Sequence, residues 1–138
     1  MDYFDWIHSL VDLFIDSLQR EIGKGFIRDE GMTWEAAKHS EAMMWRRDYY
    51  HAPREYLGSA LSELVSDGYA SYYNQRSIEQ LIKKVSRGFL DSPLHGPSLR
   101  FFSVIGVGIA VLDLRSNPVE IDGKIYRVAI YTAVRLRQ

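Results

Sequence analysis

The chain has 138 residues, of which 46% are hydrophobic and 25% charged, and it contains no cysteine. Its net charge is −1 at pH 7, from 17 basic and 18 acidic residues. These values predict one globular domain over residues 1–138, and they exclude disulfides, thiolate metal sites and cysteine nucleophiles. The overall charge gives no support to a protein that binds nucleic acid or anionic membranes through its global field.

The first segment, Asp2 to Ile22, is predicted to form an amphipathic helix that ends at Gly23 and Gly25. Its apolar residues recur in steps of three and four, at Phe4, Ile7, Val11, Phe14 and Leu18. The acidic start "MDYFDW" differs from the basic start of a signal peptide, and the longest apolar run is too short to cross a bilayer. We therefore expect a cytoplasmic protein with no membrane partner.

Three further helices are predicted within residues 1–92, the mainly helical part of the chain. The second begins with Thr33 as its N-cap and ends before Pro53. The third opens at Pro53, closes at residues 66–68, and buries Leu57, Ala60, Leu61, Leu64 and Val65. The fourth begins at the capping box "SIEQ" from Ser77, and buries Ile78, Leu81, Ile82, Val85 and Phe89.

Residues 99–137 are predicted to form an antiparallel sheet with two long strands and one short one. The pair Asp122-Gly123 between strand-like runs is a strong signal for a hairpin turn. The predicted fold class is therefore α+β, with about four N-terminal helices packed on one face of a C-terminal three-stranded sheet or β-hairpin.

The two faces of this predicted sheet carry side chains of different size. Gly106, Gly108 and Ala110 share one face, with Ala129 and Ala133 on the last strand, and such small residues allow a helix to lie close. We expect the first helix there. The opposite face is strongly apolar, with Phe101, Ile105, Val107, Ile109, Val111, Val128, Ile130 and Val134. Because this row is too apolar for water, another helix or a second copy of the chain must cover it, so a homodimer through the sheet is one alternative.

Motifs for catalysis or cofactors give no positive signal. The run "VIGVGIAV" suggests a dinucleotide-binding loop, but Val111 stands where the third glycine is required, and a packed strand explains it better. Glu35 and His39 lie four residues apart on one helix, but no third metal ligand can be placed. No nucleophile elbow or phosphate-binding loop is present. We therefore predict no enzyme activity, no metal and no cofactor.

The segment "MMWRRDYYHAPREYL", Met43 to Leu57, is the most distinctive stretch of the chain. No helical assignment hides all of its rings and exposes all of its arginines. Mixed surfaces of this kind occur at protein hot spots and in single-stranded nucleic-acid sites. The predicted partner-binding residues are Trp45, Arg46, Arg47, Tyr49, Tyr50, Arg54 and Tyr56. The alternative is that these rings fill the space between helices and sheet.

The stretch "LGSALSELVSDGYASYY" resembles the recognition-helix end of winged helix-turn-helix proteins, with an apolar helix, a glycine stop and a strand that begins with tyrosine. The resemblance implies a nucleic-acid-binding regulator. It ends there, because "YNQRSIEQL" returns to a helix and leaves no room for a wing.

The sequence thus favours a small non-enzymatic protein that binds another protein as a regulator or inhibitor, a profile common among phage and mobile-element proteins. A winged-helix nucleic-acid binder is the first alternative. The second is a small-ligand binder or enzyme that uses a tyrosine-rich pocket with His51.

Overall fold

The computed structural model describes residues 2–138, which form helices on both sides of one main sheet. The elements are α1 (Tyr3–Ile22), β1 (Ile27–Arg28), α2 (Glu30–Arg46), β2 (Ser62–Ala70), α3 (Gln75–Asp91), α4 (Gly96–Phe101), β3 (Val104–Asp113), β4 (Val119–Ile121), β5 (Lys124–Tyr126) and β6 (Val128–Arg137). A 3-10 turn at Arg54–Tyr56 lies between α2 and β2. The predicted α+β class is confirmed.

The main sheet has four strands in the order β1-β3-β6-β2. Strand β1 runs parallel to β3, whereas the β3–β6 and β6–β2 pairs are antiparallel. The predicted turn is present, with Asp122 at φ 51 and Gly123 at φ 82, and it joins β4 to β5 in a separate two-stranded sheet. The sheet is therefore mixed and larger than the three antiparallel strands predicted from the sequence.

The third predicted helix was wrong. Its expected apolar stripe from Leu57 ends in strand β2, where Leu64 packs against the core shared with α3 and Val65 packs against the opposite face. All nine residues of β2 pair with β6, a partner more than fifty residues later that local periodicity cannot reveal. The recognition helix on which the winged-helix resemblance depended is therefore not a helix.

Other helix boundaries differ from their predictions because different side chains cap them. Helix α2 begins after Asp29, whose carboxylate accepts from the backbone N–H of Met32, and it ends at Arg47 instead of continuing toward Pro53. Helix α3 is capped by Asn74 rather than by Ser77. The region from residue 99 begins as the end of α4 and becomes a strand only at Val104.

Helices cover both faces of the sheet, so the prediction that they pack on one face was wrong. Helices α1 and α3 cover the bulky apolar face, which is buried as one core with Leu10, Phe14, Leu18, Ile82 and Phe89. Helix α2 covers the small-residue face, where Ala36 and Met43 pack against Ala129, Tyr131 and Ala133. This arrangement removes the reason for a homodimer through an uncovered sheet face. Phe101, predicted on that face, lies exposed on α4.

The glycines of β3 bring α2 into direct backbone contact with the sheet. A Cβ atom on Gly106 would lie 2.5 Å from the carbonyl carbon of Met32, and one on Gly108 would lie 2.2 Å from that of Ala36. The close approach was predicted, but with α1 as the partner. Helix α1 buries Phe14 and Leu18, which need the bulky face, whereas α2 presents Ala36 at the contact.

We predict that Gly108→Ala lowers the free energy of unfolding by about 1–3 kcal/mol, because its methyl group has no room against the α2 backbone. The control is Gly88→Ala in α3, where the new Cβ has no atom within 4 Å. Because alanine favours a helix over glycine, this change should raise the free energy of unfolding by about 0.5–1 kcal/mol. Denaturant unfolding of both variants measures the difference. Equal stabilities would show that α2 does not lie as close as described.

Candidate functional site

The aromatic–arginine segment, defined as Trp45 to Tyr56, lies at the surface. Trp45 is 76% exposed, Tyr56 67% and Tyr49 52%. Arg46, Arg47 and Arg54 are exposed as well, while Tyr50 is partly buried. Rings of this size and guanidinium groups are the groups that most often carry binding energy at protein interfaces.

Helix α2 explains why Trp45 faces outward. The buried side of this helix carries Met32, Ala36, His39, Ser40 and Met43, which recur at helical spacing. Trp45 falls on the opposite side, together with Trp34. Arg47 then ends the helix in the left-handed conformation, at φ 53, and its N–H donates to the Met43 and Met44 carbonyls. The chain leaves the helix at this point and continues as the exposed segment.

Tyr50 anchors the segment rather than presenting a free ring. Its ring meets the His39 ring edge-on at 5.0 Å between centroids, and the Arg46 guanidinium lies 4.3 Å from the Tyr50 ring centroid. The Tyr50 carbonyl oxygen lies 2.6 Å from Nε2 of the buried His39. Of the seven predicted binding residues, Tyr50 is therefore the one whose contacts lie mainly within the chain.

A buried ion pair that the sequence did not reveal holds the rest of the segment. Glu63 on β2 accepts from Nε of Arg135 on β6 at 3.2 Å, and both side chains are almost fully buried. Glu63 also accepts from the Ala52 backbone N–H at 2.8 Å and lies 3.2 Å from Nδ1 of His51. Arg135 donates to the Tyr56 carbonyl at 3.2 Å. The pair thus fixes the segment at two points of its backbone.

The Glu35–His39 pair considered as a metal site is not formed. Glu35 lies 3.3 Å from Lys38, whose ammonium sits 3.8 Å from the Trp34 ring centre, while His39 contacts Tyr50. Within residues 2–138, no group of three or more histidine or carboxylate side chains is arranged to hold a metal ion.

A groove of about 530 Å³ lies beside the segment, between β2 and α3. Tyr49, Asp67, Tyr69 and His95 line it. Burial raises the pKa of Asp67, and Asp48 adds to this effect. Burial lowers the pKa of His95, with a smaller contribution from His51. The groove therefore combines a carboxyl group that resists ionisation with an imidazole that resists protonation.

Behind this groove, Tyr131 is fully buried and its hydroxyl interacts with that of Tyr69. Burial is the main reason that the pKa of Tyr131 is raised. The tyrosines of the chain thus divide between core and surface, and the sequence could not assign them individually.

Comparison with known proteins supports the fold. No family model and no curated protein matches the chain. It is similar in structure to an outer surface protein from Borrelia burgdorferi, with a TM-score of 0.53 and 13% identity over 100% of this chain and 96% of that one. A likeness at this identity shows a shared fold of mixed helices and sheet. None of the helices within residues 2–138 has the length and hydropathy that crossing a bilayer requires.

We predict that Glu63→Gln lowers the free energy of unfolding by about 3 kcal/mol, because it leaves the Arg135 charge buried without a counter-ion. The control Glu35→Gln breaks an exposed pair and should change stability by less than about 0.5 kcal/mol. Denaturant unfolding compares the two, and limited proteolysis should cut the Glu63 variant faster within residues 47–61. Equal, small effects would show that the ion pair does not hold the segment.

Proposed function

We propose that the chain is a non-enzymatic binding domain that contacts another protein through the aromatic–arginine segment, as a regulator or inhibitor. The observation that carries this proposal is the exposure of Trp45, Tyr49 and Tyr56 beside three exposed arginines. The expected absence of catalysis remains a prediction.

Preorganisation of the segment supports this proposal. Arg135, Glu63 and His39 hold the backbone at Tyr56, Ala52 and Tyr50, so the segment loses little freedom when a partner binds. Side chains that are exposed on a fixed backbone are suited to a defined protein epitope. The near-neutral net charge favours a protein partner over a nucleic acid, whose binding depends mainly on phosphate neutralisation.

The compartment stays a prediction as well. The sequence led us to expect a cytoplasmic protein, whereas the structural neighbour is described as an outer surface protein. The proposed binding surface requires neither location.

We predict that Trp45→Ala loses the partner and leaves the melting temperature within about 2 °C of the wild type, since the ring is 76% exposed. The matched control is Tyr72→Ala, an aromatic ring of 64% exposure that lies outside the aromatic–arginine segment. Affinity capture from a whole-cell lysate, followed by mass spectrometry, should recover one protein with the wild type and the control but not with the Trp45 variant.

Two outcomes would contradict the proposal. Capture of the same proteins by all three baits would show that Trp45 is not part of the interface. Loss of the captured material after nuclease treatment, with a steep dependence on salt, would favour the nucleic-acid alternative instead.

The groove between β2 and α3 supports a second candidate function, binding of a small polar ligand. It is lined by Tyr49, Asp67, Tyr69 and His95, whose polar groups can contact such a ligand. His51, the residue considered with a tyrosine-rich pocket from the sequence, does not line the groove and instead lies 3.2 Å from the Glu63 carboxylate. Titratable groups whose pKa values are shifted by burial cluster at functional sites.

For this candidate we predict that Asp67→Asn increases the free energy of unfolding at pH 7. Folding raises the pKa of Asp67 above 3.8, so the wild type loses stability as the pH rises from that unfolded-state value through the folded-state value. The neutral amide avoids this loss, and the free energies of unfolding of the two proteins should become equal below about pH 4.

Denaturant unfolding at both pH values measures the difference. A metabolite that raises the melting temperature of the wild type should not raise that of the variant. A variant that is less stable at pH 7 would show that Asp67 has a purely structural role.

A further inference from the structure

A second groove, of about 340 Å³, lies between α1 and α2 along the outer edge of β3. Its walls are formed by Phe4, Ile7 and Val11 of α1 and by Trp34 and Lys38 of α2, and its floor by residues 107–110. Phe4 is 73% exposed and Trp34 62%. This groove is separate from the aromatic–arginine segment, through which the proposed function would operate.

The floor of the groove is an incomplete edge of the sheet. Strand β1 pairs with Val104 and Ile105 only. Its ladder ends where the Asp29 N–H donates to the Ile105 carbonyl at 3.0 Å, after which the chain turns into α2. Backbone groups two residues apart in a strand point to the same edge, so those of Val107 and Ile109 point toward the groove.

Within residues 2–138, no strand and no side chain hydrogen-bonds to these outward groups of Val107 and Ile109. Val107 is 0% exposed and Ile109 4%, so the side chains that line the groove must move aside before another chain can reach these backbone groups. Buried backbone donors and acceptors need partners, and the nearest missing partner is the continuation of a strand in line with β1.

The groove also has a defined far end. Tyr3 lines the groove, and its hydroxyl lies near the backbone of Val111, the next residue of β3 that points to this edge. The unpaired backbone groups of β3 therefore lie between the end of β1 and Tyr3. The distance between these two limits fits a few residues of extended chain.

We propose that this groove binds an extended peptide segment of a partner protein, which adds to β3 as a short strand beside Val107 and Ile109. Main-chain hydrogen bonds would pair the peptide with β3, and its side chains would contact the α1 wall and the α2 wall in alternation. On the α1 side they meet the apolar residues Phe4, Ile7 and Val11, so every second residue of the peptide should be apolar.

The test uses an acetylated, amidated heptapeptide in which valine alternates with threonine. Titration should slow amide hydrogen exchange at Val107 and Ile109 by about tenfold or more at saturation, as measured by NMR. Two matched peptides carry N-methyl groups on either the valines or the threonines. Only one of them should lose binding, because alternate N–H groups of a strand point to opposite edges.

Variants of the walls complete the design. Phe4→Ala and Trp34→Ala should each weaken the peptide at least about fivefold without changing stability, since both rings are exposed. Trp45→Ala should bind it like the wild type. Each of three results would overturn the proposal: no binding at millimolar peptide, binding without slower exchange at Val107 and Ile109, or equal binding of both N-methylated peptides. A dimer that Trp34→Ala disrupts would also overturn it, in favour of a second copy.

Discussion

The backbone contact between α2 and the glycines of β3 determines how the rest of the molecule is arranged. Because Gly106 and Gly108 carry no side chains, α2 lies directly on this face of the sheet and covers it. Its outward side is then fixed, and it carries Trp34 and Trp45, which are eleven residues or about 16 Å apart along the axis. The two proposed binding surfaces therefore lie near opposite ends of the same helix, α2. A change in how α2 sits would move them together.

The buried pair of Glu63 and Arg135 has a different role from the apolar core. An ion pair inside a protein loses hydration, and a well-packed apolar pair is often as stabilising. Its distinctive contribution here is directional, since Glu63 and Arg135 also bond to backbone atoms of Ala52 and Tyr56. These hydrogen bonds fix the path of the long connection between α2 and β2 over the surface. We infer that the pair serves to define the shape of the segment more than to increase overall stability.

The sequence predicted the elements whose signals are local. Helix α3 has a strong stripe from Ile78 to Phe89, and the Asp122-Gly123 turn adopts the conformation that those residue types favour. Strand β2 was missed because Leu64 and Val65 also fit a helical stripe, and only pairing with β6 decides between them. Exposure of Trp45 depended on which face of α2 meets the sheet. Glu63 and Arg135 are 72 residues apart, so neither could be recognised as a partner.

The two edges of the main sheet are protected in different ways, which bears on what each can bind. Open edges invite pairing with other chains, and proteins commonly block them with charged or short strands. On β2, the edge strand carries the polar residue Asp67, which disfavours addition of an apolar strand, whereas Glu63 is buried against Arg135. The edge of β3 carries no charge between Val104 and Leu112 and is instead recessed between α1 and α2. We infer that this recession disfavours pairing with another sheet more strongly than pairing with a single strand.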